Sequence, residues 1–100
     1  MENAATGVLT SQGRLSVASV QNAGLVDVAA GSTLQSDTAV QNGNELIVSG
    51  RLEADVVNHD SATLDGGTIA GTVTNAGTLT GNGTIAALAN NGTATLAGRV

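Results

Sequence analysis

His59-Asp60 is the one place in this chain where an imidazole lies next to a carboxylate in sequence, and the 100 residues include one His and no Cys. Such a pair is half of a general-base or metal-binding arrangement. Nucleophilic catalysis needs a third group in line, and the triad logic finds no nucleophile for this pair. A polar, exposed turn is the simpler reading of His59-Asp60. Asp55, Asp60 and Asp65 recur every five residues, which would direct them to different corners of a repeating structure rather than to one ion. The stretch "DGGTIAG" lacks the Asp that calcium-binding β-roll nonapeptides carry after their glycines. No Gly-rich loop precedes a helix or a Lys, so phosphate binding has no support. Asn82-Gly-Thr84 and Asn91-Gly-Thr93 are formal glycosylation sequons that also serve as turns. The sequence therefore nominates no catalytic, cofactor-binding or metal-binding residue, and it points to a non-enzymatic protein.

Composition narrows the classes further. The chain has no aromatic residue, no Pro and 14 Gly, and its net charge is −5 with only three basic residues. Nucleic-acid binding requires clustered Lys and Arg, so that class is set aside. No apolar run approaches the roughly 20 residues that span a bilayer as a helix, so membrane insertion is not expected. Met1-Glu2-Asn3 is not the start of a signal peptide, which leaves a cytoplasmic protein or a piece of a longer chain. Gly and Asn are too frequent for long helices, whereas Thr and Val favour strands. A core built only of Val, Leu, Ile and Ala must be narrow, because aromatic side chains are what usually fill a small domain.

What positions these residues is a repeat. Asn recurs at Asn3, Asn22, Asn42, Asn58, Asn75 and Asn90, five of them closing the phrase aliphatic-x-Asn, as in Val20-Gln-Asn22 and Val73-Thr-Asn75. Four and six residues after each Asn come Gly7 and Leu9, Val26 and Val28, Leu46 and Val48, Ala62 and Leu64, Leu79 and Gly81, Ala94 and Leu96. That alternation has the period of a strand. A Gly-x-aliphatic phrase follows at Gly13, Gly50, Gly67, Gly83 and Gly98, stretched in the second repeat to Gly31-Ser-Thr-Leu34. Self-similarity at 15–20 residues signals a solenoid. The pattern predicts an all-β, single-domain chain over residues 1–100: a parallel β-helix (β-solenoid) of about six coils. Asn3, Asn22, Asn42, Asn58, Asn75 and Asn90 would form an inward amide ladder, with Gly13, Gly50, Gly67, Gly83 and Gly98 at a second corner. Six coils at about 4.8 Å each would make a rod about 29 Å long. An antiparallel meander turning at Asn42-Gly43, Asn82-Gly83 and Asn91-Gly92 is the competing topology.

On these residues the chain resembles a known group. "GTIAGTVTNAGTLTGNGTIA", residues 67 to 86, is similar to autotransporter passenger repeats. "GRLSVASVQNAGLVDVAAGSTLQSDTAVQNGNELIVSG", residues 13 to 50, is similar to the repeats of filamentous-haemagglutinin-type exoproteins exported by two-partner secretion. The resemblance implies a right-handed parallel β-helix forming the shaft of a secreted Gram-negative surface adhesin, whose side faces are available to a host glycan or protein receptor. The secretion-signal region and any toxin or protease module of such proteins do not appear in these residues. Bactofilins, which are cytoplasmic end-to-end polymers, share the Gly-x-aliphatic rhythm and give an alternative in another class.

Two surface patterns accompany the repeat. Ser61 and Thr63, Thr78 and Thr80, and Thr93 and Thr95 would display hydroxyls on three successive coils, which resembles the ice-binding face of β-helical antifreeze proteins. The same column earlier holds Leu25, Asp27, Glu45 and Ile47, which interrupts it, and outward Thr suits any stacked strand. Arg14, Arg51 and Arg99, with Thr68 and Thr84 between, form a sparse outward column suited to solubility and to polar contacts with a receptor. Neither end of the sequence carries a helix or charged loop to cover a last coil. Adjoining coils of a longer chain, or end-to-end self-association, are the expected partners there.

Overall fold

A computed structural model describes residues 2–98. Arg99 and Val100, which complete the last Gly-x-aliphatic phrase and the Arg column, lie outside the described residues. The described chain is all β: β1 (Glu2–Asn3), β2 (Val8–Ser11), β3 (Arg14–Val17), β4 (Val20–Asn22), β5 (Leu25–Val28), β6 (Thr33–Ser36), β7 (Val40–Asn42), β8 (Glu45–Val48), β9 (Arg51–Glu53), β10 (Val56–Asn58), β11 (Ser61–Asn75), β12 (Thr78–Asn90) and β13 (Thr93–Leu96). Every pairing between them is parallel, each strand lying on its counterpart one coil away. This is a parallel β-solenoid, and the Asn-Gly dipeptides are corners or parts of strands rather than hairpin turns.

Three faces make up each coil. Face A stacks β1, β4, β7, β10 and the last residues of β11 and β12. Face B stacks β2, β5, β8, the first residues of β11 and β12, and β13. Face C stacks β3, β6, β9 and the middles of β11 and β12. β11 and β12 run round two corners without losing their pairing, with register shifts between Asp65 and Thr68 and between Ile69 and Thr72.

The core is the set of inward columns that period-two alternation creates. Val20, Val40, Val56 and Val73 stack on face A, Val26, Leu46, Ala62 and Leu79 on face B, and Leu34, Leu52, Ile69 and Ile85 on face C, all buried. Aliphatic side chains standing on aliphatic side chains one coil away fill the narrow interior without any aromatic ring.

Three sequence expectations need correction. In the first coil, Leu9 rather than Gly7 pairs with Val26, and Ser11 rather than Leu9 pairs with Val28. The turn after Asn3 is two residues longer than in the other coils and is closed by Gly7 N–H donating to the Ala4 carbonyl at 2.8 Å. The shift stacks Leu9 in an apolar column and buries Ser11, whose hydroxyl donates to the Thr33 carbonyl at 3.3 Å. In the second coil the residue at the Gly corner is Ser32, not Gly31, because Thr33 pairs with Arg14 and with Arg51. The buried Ser32 hydroxyl accepts from Gly13 N–H at 3.0 Å. Finally, the stack is a squat block of 27 × 25 × 21 Å, not a rod, since a three-faced coil is about as wide as six coils are tall.

The coils also differ in length. From the inward residue of face C to that of face A the chain runs Leu15 to Val20, Leu34 to Val40, Leu52 to Val56, Ile69 to Val73, and finally Ile85 to Leu88. The other two corners vary as well, at the turn after Asn3 and at the Gly corner, where Val28 to Leu34 is a longer step than Val48 to Leu52.

Candidate functional site: the Asn corner and the faces beside it

The most organised polar feature is inside. Asn sits at the end of each face A strand, in the inward phase set by the Val two residues earlier. Asn22, Asn42, Asn58 and Asn75 are buried. Each Nδ2 donates to the Oδ1 of the next Asn along: Asn3 to Asn22 at 2.8 Å, Asn22 to Asn42 at 2.8 Å, Asn42 to Asn58 at 2.7 Å, Asn58 to Asn75 at 2.7 Å, and Asn75 to Asn90 at 2.9 Å. The same nitrogen also donates to a carbonyl of its own corner, as Asn58 does to Asp60 at 3.3 Å. It reaches a carbonyl of the following coil as well, as Asn58 does to Thr78 at 3.0 Å. Two N–H groups thus serve three acceptors, one of them shared. Every donor in the ladder points toward the C-terminal end, so the ladder is polar.

Main-chain bonds at this corner follow one rule. The amide after each Asn donates to the Asn carbonyl one coil back: Ala23 to Asn3, Gly43 to Asn22, His59 to Asn42, Ala76 to Asn58 and Asn91 to Asn75, all at 2.8 Å. Two residues later a second amide does the same: Leu25 to Gly7 at 3.0 Å, Glu45 to Gly24 at 3.1 Å, Ser61 to Asn44 at 2.8 Å, Thr78 to Asp60 at 2.7 Å and Thr93 to Gly77 at 2.9 Å. The coils approach so closely here that a Cβ on Gly77 would collide with the Asp60 carbonyl.

The second corner uses Gly in two ways. Gly13 has φ of +79°, a left-handed conformation that costs a side chain strain. Gly50 and Gly67 are needed for space: a Cβ would strike the Ser32 carbonyl in one case and the Val48 carbonyl in the other. Gly83 and Gly98 continue the column, each against the carbonyl of the glycine below.

Residues with chemical potential are dispersed by this geometry. His59 and Asp60 are exposed, in line with the corner residues Gly43 and Asn44 of the preceding coil. Asp55, Asp60 and Asp65 occupy three different corners, and Asp55 is engaged, its Oδ1 accepting from Thr72 N–H at 2.9 Å. Among the described residues no three His, Cys, Asp or Glu side chains gather as for a metal ion.

Outside, three features stand out. The hydroxyl columns are in register: Ser61, Thr78 and Thr93 pair in line, as do Thr63, Thr80 and Thr95, with Glu45 and Ile47 next below. On face C, Arg14 and Arg51 both reach Glu53 at 3.4 Å, and Arg14 also donates to Gln35 Oε1 at 3.1 Å. The pattern of Arg and Thr showed the column, but the acceptors Glu53 and Gln35 lie in the neighbouring outward column of the same face and were not singled out in it. The third feature is a shallow groove of about 510 Å3 beside the Asn corner, walled by Glu2, Gln21 and Gln41 and ended by His59. Its lining also includes the corner residues Ala4, Ala23 and Gly43.

Fold and ladder together define a β-solenoid repeat protein with an internal Asn ladder. Set against protein-family models, curated proteins and solved structures, the chain matches none of them.

Proposed function

We propose that this chain is a non-enzymatic structural segment of the shaft of a secreted Gram-negative surface adhesin. What carries the reading is the unbroken Asn ladder. A polar column that each coil extends by the same set of bonds makes a stack whose length is set by coil number, which is what a spacer between a cell and a binding tip requires. The resemblance of residues 13–50 and 67–86 to exoprotein and passenger repeats supports it. In this reading the coils at either end pack on adjoining coils of the parent chain or on another copy. The outward Arg14, Arg51, Gln21 and Gln41 side chains are available to a host glycan or protein receptor.

The test is topological. Antibody raised against residues 1–100 should label intact cells of the source organism, and protease added outside should remove the epitope. Cytoplasmic filaments labelled only after permeabilisation would replace this reading with the bactofilin-like one. The in-register Ser and Thr columns favour one further reading, ice binding, and measurable thermal hysteresis in dilute buffer would establish it.

A further inference from the structure

We propose that copies of this chain join head to tail, the first coil of one copy seating on the last coil of another through the bonds that already join coil to coil. The inference rests on the chain being a stack-forming segment.

The two ends are complementary in detail. Among the described residues, β13 at the C-terminal end pairs with β12 alone, and at the N-terminal end β1, β2 and β3 pair with β4, β5 and β6 alone. Asn75 Nδ2 has three acceptors, at Gly77, Asn90 and Thr93, whereas Asn90 Nδ2 has one among the described residues, the Gly92 carbonyl at 3.2 Å. The counterparts of the other two are an Asn Oδ1 and a carbonyl one coil further on. Asn3 Oδ1 and the Val8 carbonyl occupy those positions in the first coil, since Val8 pairs with Leu25, the residue whose carbonyl Asn3 itself uses at 2.9 Å. The main-chain rule at the corner extends in the same way. Ala4 N–H stands where Ala23 N–H does and would donate to the Asn90 carbonyl of the other copy. Val8 N–H stands where Leu25 N–H does and would donate to the Gly92 carbonyl.

A further feature fits. Gly13 faces open space where its counterparts Gly50 and Gly67 face a carbonyl, so the glycine column has room for Gly98 of another copy beneath it. Because every ladder donor points one way, only head-to-tail contact completes the bonds; head-to-head contact would set acceptor against acceptor.

Sedimentation velocity of the 100-residue chain from micromolar to millimolar concentration is the first experiment. The expected result is a sedimentation coefficient that rises with concentration. A single monomeric species throughout overturns the proposal. Asn90→Asp keeps the oxygen that accepts from Asn75 but removes the donor, and it should weaken association at least about tenfold. Polarity is read by mixing. Ala94→Glu places a charge in the inward column at one end, and Leu9→Glu does so at the other. Each alone should stay monomeric with β-type circular dichroism, and the mixture should form a one-to-one dimer through the two unaltered ends. Self-association of either single variant overturns the head-to-tail geometry. If these variants lose their β signal, the concentration series and Asn90→Asp still decide. Surface labelling of cells is independent of all these outcomes, so the shaft reading can fail while the joint stands, and the reverse.

Discussion

Asn58 Nδ2 donates to Asn75 Oδ1 at 2.7 Å across 17 residues of sequence and a single coil of structure. Both side chains are fully buried, so each amide has the ladder and the neighbouring carbonyls as its only partners.

Replacing Asn75 by Leu should therefore cost on the order of 1–3 kcal/mol, because it strands the buried Asn58 donor and removes the side-chain donor that the Asn90 Oδ1 and the Thr93 carbonyl use. Asn82, exposed and outside the ladder, serves as the control: Asn82→Leu should leave stability nearly unchanged. Thermal melts followed by circular dichroism compare the two. Equal melting temperatures would show that the ladder contributes nothing.

The glycines separate strain from space. Gly67→Ala forces a methyl group onto the Val48 carbonyl and should lower stability by about 2 kcal/mol. Gly13→Ala meets no atom and carries only the left-handed penalty, roughly 1 kcal/mol. Urea denaturation should rank Gly67→Ala below Gly13→Ala, and the reverse order would contradict the close approach of the coils.

Ser36 presents the opposite case. Its hydroxyl is buried in the wide second coil and has no hydrogen-bond partner. Ser36→Ala removes an unsatisfied polar atom and should stabilise the fold by about 1 kcal/mol, raising the melting temperature by several degrees. A fall in melting temperature would mean that the hydroxyl is satisfied after all.

Glu53 bridges Arg14 and Arg51 on the surface, with the Arg14 side chain 61% exposed. Exposed pairs of this kind contribute little, so Glu53→Gln should shift stability by less than about 1 kcal/mol, and added salt should reduce the shift further. A larger, salt-independent loss would assign the cluster a structural role.

Much of this protein was legible in its order of residues. Val20, Val40, Val56 and Val73 two places before Asn marked the inward side of face A, since a strand puts alternate residues on opposite sides. The recurrence of that phrase in steps of 15 to 20 residues pointed to stacked coils. The Asn register was readable for the same reason: an amide placed identically in every coil meets its own kind. What alternation cannot state is the length of a turn in space. Tertiary structure therefore decided that Leu9 rather than Gly7 lies against Val26, and that Ser32 takes the corner beside Gly13. It also decided that Arg14 meets Glu53, 39 residues away, and that Ser36 is buried without a partner. These depend on how one coil settles on the next. That is determined by corner hydrogen bonds and close backbone contacts between residues far apart in the chain, which a local pattern of apolar and polar residues does not encode.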